Sequence, residues 1–395
     1  MSFIHKLIIT ISIFLFIFGM SIIPIDFDFL NPLSKAFSDF EFSDIVFSKL
    51  RNHDDIPLDT NIVIVNIGFL SRNEISKRLN ILEKFNPKVI GIDIFFENFD
   101  GSKNDNYLVK SLNNGKNIVL ANALIKKNNT SDMYDSIKTS NKVFLRNATQ
   151  GYANLITDES KGFMTVRSFM PRYVIMSDTI NAFAVQCIKL FDVGKYNDFL
   201  KRNNTEERIN YERNVYYNNY MRIDIDQLDS SIDKSMIENK IVLVGFLGIN
   251  FNDSLFINDK FFTPMNQRYA GKTFPDMYGV IIHANIISMI LSSNFINSMP
   301  YITNIILSMT ICLLNILFLS WVSKISSNWY DEIASIITII EILFILYLSI
   351  FIFNVFNYQF DTTIIILSLI LVPNSINTYN ELIKKLKPQK REVLL

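Results

Sequence analysis

Cysteine is almost absent from this chain: 395 residues contain only Cys187 and Cys312. Cys312 lies within a long apolar run, so a disulfide framework is excluded and any exported domain must rely on a hydrophobic core. Histidine is nearly as scarce. His5, His53 and His283 are far apart in sequence and form no HExxH pairing, which argues against a multi-histidine metal site. Net charge is absent as well, with 38 Lys and Arg against 38 Asp and Glu, and residues 26–299 carry 31 against 32. Nucleic-acid binding wants a concentrated basic face, so no nucleic-acid partner is expected. There is no GxSxG elbow for a serine hydrolase. Gly271-Lys272-Thr273 lacks the earlier glycine of a phosphate loop, since Asn266 stands there, and Pro275 interrupts a following helix. Gly245 and Gly248 after a strand mark a turn, for want of a third glycine and a ribose-binding acid. No cofactor and no catalytic cluster are read, so the chain is expected not to be an enzyme.

What it has is apolar runs in a particular order. Residues 7–25 carry no charge, and residues 301–323, 333–353 and 360–376 form a second hydrophobic block. Each approaches or reaches the length needed to cross a hydrocarbon core of roughly 30 Å. Lys6 precedes the first run, Lys324 lies between the second and third, and Lys384, Lys385, Lys387, Lys390 and Arg391 follow the fourth. The turn at 354–359 has no positive charge. Short basic loops stay cytoplasmic, so both termini are expected inside and the long middle segment outside. Trp321, Trp329 and Tyr330 suit an inner aromatic belt, and Tyr301 and Tyr358 an outer one. The first run is longer than a signal-peptide core and lacks a small-x-small cleavage site, so it reads as an uncleaved anchor. Abundant Ile, Asn, Lys and Phe with little Ala and Gly fits an AT-rich bacterial coding bias. Localisation is then a multi-pass cell (inner) membrane protein. The expected organisation is an anchor over 1–25, an extracytoplasmic domain over 26–299, three spans over 300–380 and a short basic tail over 381–395, with no output domain after it.

The middle segment reads as α/β. Residues 61–67 (NIVIVNI), 88–95 (KVIGIDIF), 117–121 (NIVLA) and 240–246 (KIVLVGF) are short β-branched apolar runs suited to strands buried on both faces. Residues 71–85 have helical apolar spacing, with Ser71 as N-cap and Glu74 three residues on, and 105–112 are a second helix. Strand–helix–strand alternation with short links implies a mainly parallel sheet flanked by helices. Further on, 182–191 look helical, 221–228 alternate like a half-buried strand, and 279–292 form an apolar helix before the second span. Residues 197–220, rich in Asn, charge and Tyr, read as an exposed excursion.

Several stretches then become recognisable. Val89-Ile90-Gly91-Ile92-Asp93-Ile94-Phe95-Phe96, Gly151-Tyr152-Ala153-Asn154, Thr165-Val166-Arg167, Lys240-Ile241-Val242-Leu243-Val244-Gly245, Asp259-Lys260-Phe261-Phe262-Thr263-Pro264 and Gly279-Val280-Ile281-Ile282-His283-Ala284-Asn285 together resemble the CHASE domain of type two. That name denotes an extracellular sensory region associated with cyclases and histidine kinases. The resemblance covers residues 40–295, with one span before and three after. The acidic pair and Trp-Pro motif common after the first strand are replaced here by Asn66-Ile67-Gly68-Phe69-Leu70-Ser71. The resemblance implies a sensory role, exercised in this chain through a separate signalling partner.

Asp93 lies near the carboxyl end of an otherwise apolar strand, where open α/β sheets place ligands. Asn66 and Asn122 fall along the same edge, and Thr263, His283 and Asn285 come from stretches able to approach it. Two readings stay open for this set: a site for an unknown small extracytoplasmic ligand, or Asp93 as a cap and His283 as a satisfied core histidine. Asp224 and Asp226 share a strand face, either holding a hard cation or simply solvated. Glu341, near the middle of the third span, is too costly to face lipid and is expected to contact protein, with Asn315 as partner. Besides the bilayer, the expected partner is a signalling protein or a second copy. The rival to a sensor is a non-catalytic assembly subunit of an envelope complex. A reporter enzyme fused near residue 150 is expected to be active only outside the cytosol, and cytosolic activity would overturn the topology.

Overall fold

The computed structural model describes residues 2–22, 41–126, 133–157, 165–175, 177–224, 227–229, 232–251, 257, 259–267, 274–326 and 328–386. Residues 271–273, Ile225 and Asp226, the connector over 23–40 and the basic residues Lys387, Lys390 and Arg391 lie outside them. The chain divides into a helical unit, which includes helix α1 (Phe3–Ile22), and an α/β unit over Pro32–Ile296.

The α/β unit opens with a short helical stretch, α2 (Phe42–Ile45) continued by Val46–Leu50, whose Val46 and Phe47 are buried. Then follow β1 (Asp59–Asn66), α3 (Arg72–Lys84), β2 (Val89–Ile92), α4 (Lys103–Asn114) and β3 (Ile118–Ile125). Ser71 caps α3 as its spacing predicts: its hydroxyl accepts from the Glu74 N–H, and the Glu74 carboxylate accepts from the Ser71 N–H at 2.8 Å. Strands β4 (Ser136–Lys138) and β5 (Thr149–Tyr152) come next. Two short ribbons follow, one of β6 (Ser168–Phe169) with the later strand β9 (Glu207–Arg208), the other of β7 (Arg172–Ile175) with β8 (Asp178–Asn181). Between and after them run α5 (Phe183–Phe191), α6 (Val193–Leu200), β10 (Tyr220–Ile223) and β11 (Ile241–Gly245). A hairpin of β12 (Lys260–Phe261) and β13 (Met277–Tyr278) leads into α7 (Gly279–Ser292).

Seven strands form one sheet in the order β10-β1-β11-β2-β3-β4, with β5 beside β3; every pair except β3–β4 is parallel. The late strand β11 is inserted between β1 and β2, so all its residues are buried and its sequence is uniformly apolar. Side chains alternate across the sheet. Val63, Val65, Ile90, Ile92, Ile118, Leu120, Val242 and Val244 pack with Ile75, Leu79 and Leu82 of α3 and Leu108 and Leu112 of α4. The opposite face is covered by α5 and α7, which come close because glycines face them. A Cβ on Gly151 would lie 2.7 Å from the Phe183 Cα, and one on Gly245 would lie 2.9 Å from the Val280 side chain.

The stretch over 197–220 is not an exposed excursion. Phe199, Glu207, Ile209, Asn210, Tyr211, Asn214, Val215 and Asn219 are buried. Its polar side chains are spent inside the domain: Glu207 pairs with Arg202 at 2.6 Å, and Asn210 donates to the Asn294 carbonyl at 3.1 Å. Polar composition misleads here because these groups are internal connectors and not a solvated surface.

In the helical unit, α1 is joined by a two-residue ladder of β14 (Asn297–Ser298) with β15 (Tyr358–Gln359) and by α8 (Tyr301–Ile325), α9 (Tyr330–Phe356) and α10 (Thr363–Leu386). All four helices are long and apolar enough to cross a membrane. Ile9 and Ile13 pack with Cys312, Ile316, Leu319, Val372 and Ile376. Polar ties join the helices: His5 Nδ1 meets the Tyr379 hydroxyl at 2.5 Å, and Asn377 donates to Asp331 at 2.8 Å. Both cysteines are free thiols.

Gly151→Ala is expected to destabilise the α/β unit by about 2–3 kcal/mol, because helix backbone rather than a movable side chain meets the new methyl. Denaturant unfolding of the full chain measures this, and an unchanged midpoint would refute the close approach.

Candidate functional site

The pleat places Gly91 and Asp93 on the face covered by α5 and α7. A Cβ on Gly91 would lie 2.9 Å from both the Phe183 ring and the Leu243 side chain, and 3.0 Å from Cys187 Sγ. Helix α5 therefore sits hard against β2. Two residues later Asp93 leaves the sheet, its N–H still donating to the Val244 carbonyl at 2.9 Å. Its carboxylate meets the head of α7: a Cβ on Gly279 would lie 3.9 Å from Asp93 Oδ2 and 3.2 Å from the Phe261 ring. Little water reaches Asp93, and lost hydration pushes its pKa up to about 6. The positive end of the α7 dipole acts in the opposite sense. Asp259 stands on the rim just before β12, with a left-handed φ of 66°. Its carbonyl accepts the Gly279 N–H at 3.2 Å. Its own carboxyl is pushed up to about 7, by lost hydration first and then by the negative charge of Asp93.

His283 follows Gly279 by one turn on the same face of α7. Its imidazole is 3% exposed and packs edge-on against Phe183, with ring centroids 5.2 Å apart. Burial pushes its pKa down to about 4, opposed by a hydrogen bond to the Ala153 backbone. The ring is therefore neutral at pH 7. Nδ1 is buried with no hydrogen-bond partner among the described residues. Phe183 touches both the Gly91 position and His283, and the Asp93 carboxylate lies beside Gly279, one turn of α7 before His283.

The other residues predicted from sequence go elsewhere or stand aside. Asn66 is fully bonded: its Nδ2 donates to Asp224 at 2.9 Å, and its Oδ1 accepts from the Gly68 and Leu247 N–H groups at 3.0 Å each. It ties the end of β1 to the loop after β11, and Asp224 serves the same tie. Asn285 faces away from His283, accepting from the Glu212 and Arg213 N–H groups at 3.2 and 3.0 Å and donating to the Arg213 carbonyl at 2.8 Å. Thr263 is held by Asp276, its N–H donating at 2.8 Å and its hydroxyl at 2.5 Å. Asp276 is pushed up to about 6 by burial, against those bonds. Asn122 lies on the pleat face of Ile118 and Leu120, and its Oδ1 is buried without a described partner. In the helical unit, Asn315 Nδ2 donates to the Glu341 carboxylate, joining α8 to α9.

Sequence reasoning did not assign Asp259, Gly279 or Phe183 to the corner. Asp259 and Gly279 stand in the recognised stretches, but their meeting at Asp93 depends on the hairpin before α7.

A family model for the CHASE2 domain matches residues 14–323, which takes in the whole of the described α/β unit. No curated protein and no solved structure matches the chain.

The folded pKa of Asp93 lies above the ordinary 3.8. Its protonated form therefore favours folding, a contribution present below pH 4 and lost as pH rises through about 6. Asp93→Asn is expected to stabilise the protein by about 1–2 kcal/mol at pH 7.5 and to be nearly neutral at pH 4. Thermal melts at the two pH values test this, and destabilisation at pH 7.5 would instead mark Asp93 as a structural cap.

Proposed function

Since the chain belongs to the CHASE2 family of extracellular sensory domains, we propose that it is a membrane-anchored sensor binding a small extracytoplasmic ligand at the Asp93–His283 corner. The observation that carries this reading is a poorly hydrated Asp93 at the carboxyl edge of a parallel sheet, with buried neutral His283 one turn along α7, its Nδ1 without a partner among the described residues. That edge is where open α/β sheets hold ligands. A sensor, unlike an enzyme, needs no nucleophile there. The one thiol close by supports this role, because burial and the Asp93 charge push Cys187 up and keep it protonated.

In this reading the protein sits in the cell (inner) membrane with both termini in the cytoplasm, as the positions of Lys6 and Lys324 support. It passes its state to a separate signalling protein, met within the bilayer or at its basic cytoplasmic end. An assembly subunit is the second reading, favoured by the Asn315–Glu341 pair, since polar side chains within spans commonly serve helix contacts. Full-length protein purified from its native membrane is expected to bring down a signalling protein. Asp93→Asn is expected to abolish the signal while leaving that complex intact. A complex lost with Glu341→Leu, together with indifference to Asp93→Asn, would favour the assembly subunit.

A further inference from the structure

The long helices of the helical unit do not pack evenly along their length. On α1, Ile9, Thr10 and Ile13 are buried, and no residue from Phe14 to Ile22 is. Ile9 and Ile13 close against Cys312, Ile316 and Leu319 of α8 and Val372 and Ile376 of α10. Beyond that contact α1 parts from its neighbours. The space between them is a cavity of about 800 Å³, walled by Phe14 and Phe18 of α1, Ile305 and Met309 of α8, and Leu367 and Leu371 of α10. That is the size of a small-molecule site, yet most of its lining is hydrocarbon.

Depth decides what the groove can hold. Its lining runs from Ile11 to Ser21 on α1, from Tyr301 to Met309 on α8 and from Thr363 to Leu371 on α10. At 1.5 Å per residue these walls are about 12–15 Å long. One leaflet of a hydrocarbon core is roughly 15 Å thick, half the depth that a crossing helix must fill. The far end is shut by the contacts of Ile9 and Ile13. A partner's spanning helix therefore cannot lie in the groove along its length, whereas a single hydrocarbon chain can. The polar lining residues, Ser21, Tyr301 and Thr363, stand together at the open end, where α1 stops and α8 and α10 begin. None is charged, and the Ser21 hydroxyl already donates to the Phe18 carbonyl at 2.8 Å. The groove is thus built to hold a chain and not a head group. Lipid tails are as apolar as this lining, so burial alone does not hold a chain here. Packing does, since walls on three sides lose dispersion contacts unless a chain lies between them.

We propose that the groove between α1, α8 and α10 seats one acyl chain of a membrane phospholipid, with the head group at the Ser21–Tyr301–Thr363 end. The inference stands apart from the sensor reading. In chain order α1 precedes the α/β unit and α8 follows it, so the lipid sits where the separation of those two spans is set.

Native mass spectrometry of the full-length protein tests the inference. The protein is reconstituted in bilayers of palmitoyl-oleoyl phosphatidylethanolamine and phosphatidylglycerol, then released in detergent and washed. One phospholipid is expected to stay on each chain. Met309→Trp, at the deep end of the groove, and Leu367→Trp, on its α10 wall, are each expected to lower that occupancy about fivefold or more, because the indole takes the space of the chain. Leu343→Trp, exposed on α9 and outside the groove, is expected to leave it unchanged. Leu367 is itself exposed, so its variant keeps the test open should Met309→Trp fold poorly. A melting curve confirms the fold of each. No retained phospholipid, undiminished retention in folded Met309→Trp or Leu367→Trp, or equal loss in Leu343→Trp would overturn the proposal. A second copy of the chain held in place of lipid, and released by Leu367→Trp, would overturn it too.

Discussion

Asp93 ionises where the sheet, α5 and the head of α7 leave it little water, and its surroundings reflect how that charge is accommodated. Two glycines make the crowding. Gly91 lets the Phe183 ring lie against β2, and Gly279 lets the first turn of α7 come down beside the carboxylate. A side chain at Gly91 would meet the Phe183 ring at 2.9 Å, whereas a methyl at Gly279 would sit in ordinary contact with Asp93 at 3.9 Å and press only on the Phe261 ring at 3.2 Å. The helix then offers its positive end, which is the compensation a half-buried carboxylate can draw from backbone alone. That compensation is partial, since the pKa remains near 6. A domain selected only for stability would have placed an arginine here or an apolar residue at 93. The cost is the kind that binding sites carry, because unspent electrostatic energy becomes available when a ligand supplies the missing partner.

The layers of the fold were legible because their causes are local. Buried parallel strands read as apolar runs, and the Ser71–Glu74 box marks the start of α3. Four apolar runs became four helices, the last extended to Leu386 as its apolar face gives way to an amphipathic end. Strand order was less accessible. Nothing in the composition of residues 241–245 says that this strand enters between β1 and β2, since any buried slot wants the same residues. The ribbons β6–β9 and β7–β8 were missed because two- to four-residue strands carry no period. Site residues divide in the same way. Asp93 stands out as a charge within an apolar strand. Asn66, Asn285 and Thr263 drew attention by residue type, yet their bonds are consumed by turns and loops that only the fold reveals. Asp259 was invisible as a neighbour of Asp93, because a hairpin separates it from α7.

Helix α7 also connects the corner to the far end of the α/β unit. Its fourteen residues span about 21 Å. Beyond His283, Asn285 pins the backbone at 212–213, Ser288 donates to Asp59, and Asn294, just past the helix, donates to Glu212 at 2.6 Å. Arg202 then holds the Ile296 carbonyl at 3.3 Å while its guanidinium pairs with buried Glu207 at 2.6 Å. Glu207 belongs to β9, whose other residue, Arg208, pairs with Glu41 at 2.7 Å; Arg167, just before the facing strand β6, pairs with buried Asp44 at 2.6 Å. One short ribbon thus grips both ends of the described unit, residues 41–44 at its start and residue 296 at its end. Removing one partner of the largely buried pairs Arg202–Glu207 and Arg167–Asp44 costs about 3–5 kcal/mol, more than thermal motion supplies, whereas the more exposed Arg208–Glu41 pair holds less. A shift of α7 along its axis must therefore either carry the two ends together or break one of these pairs, and the first costs less.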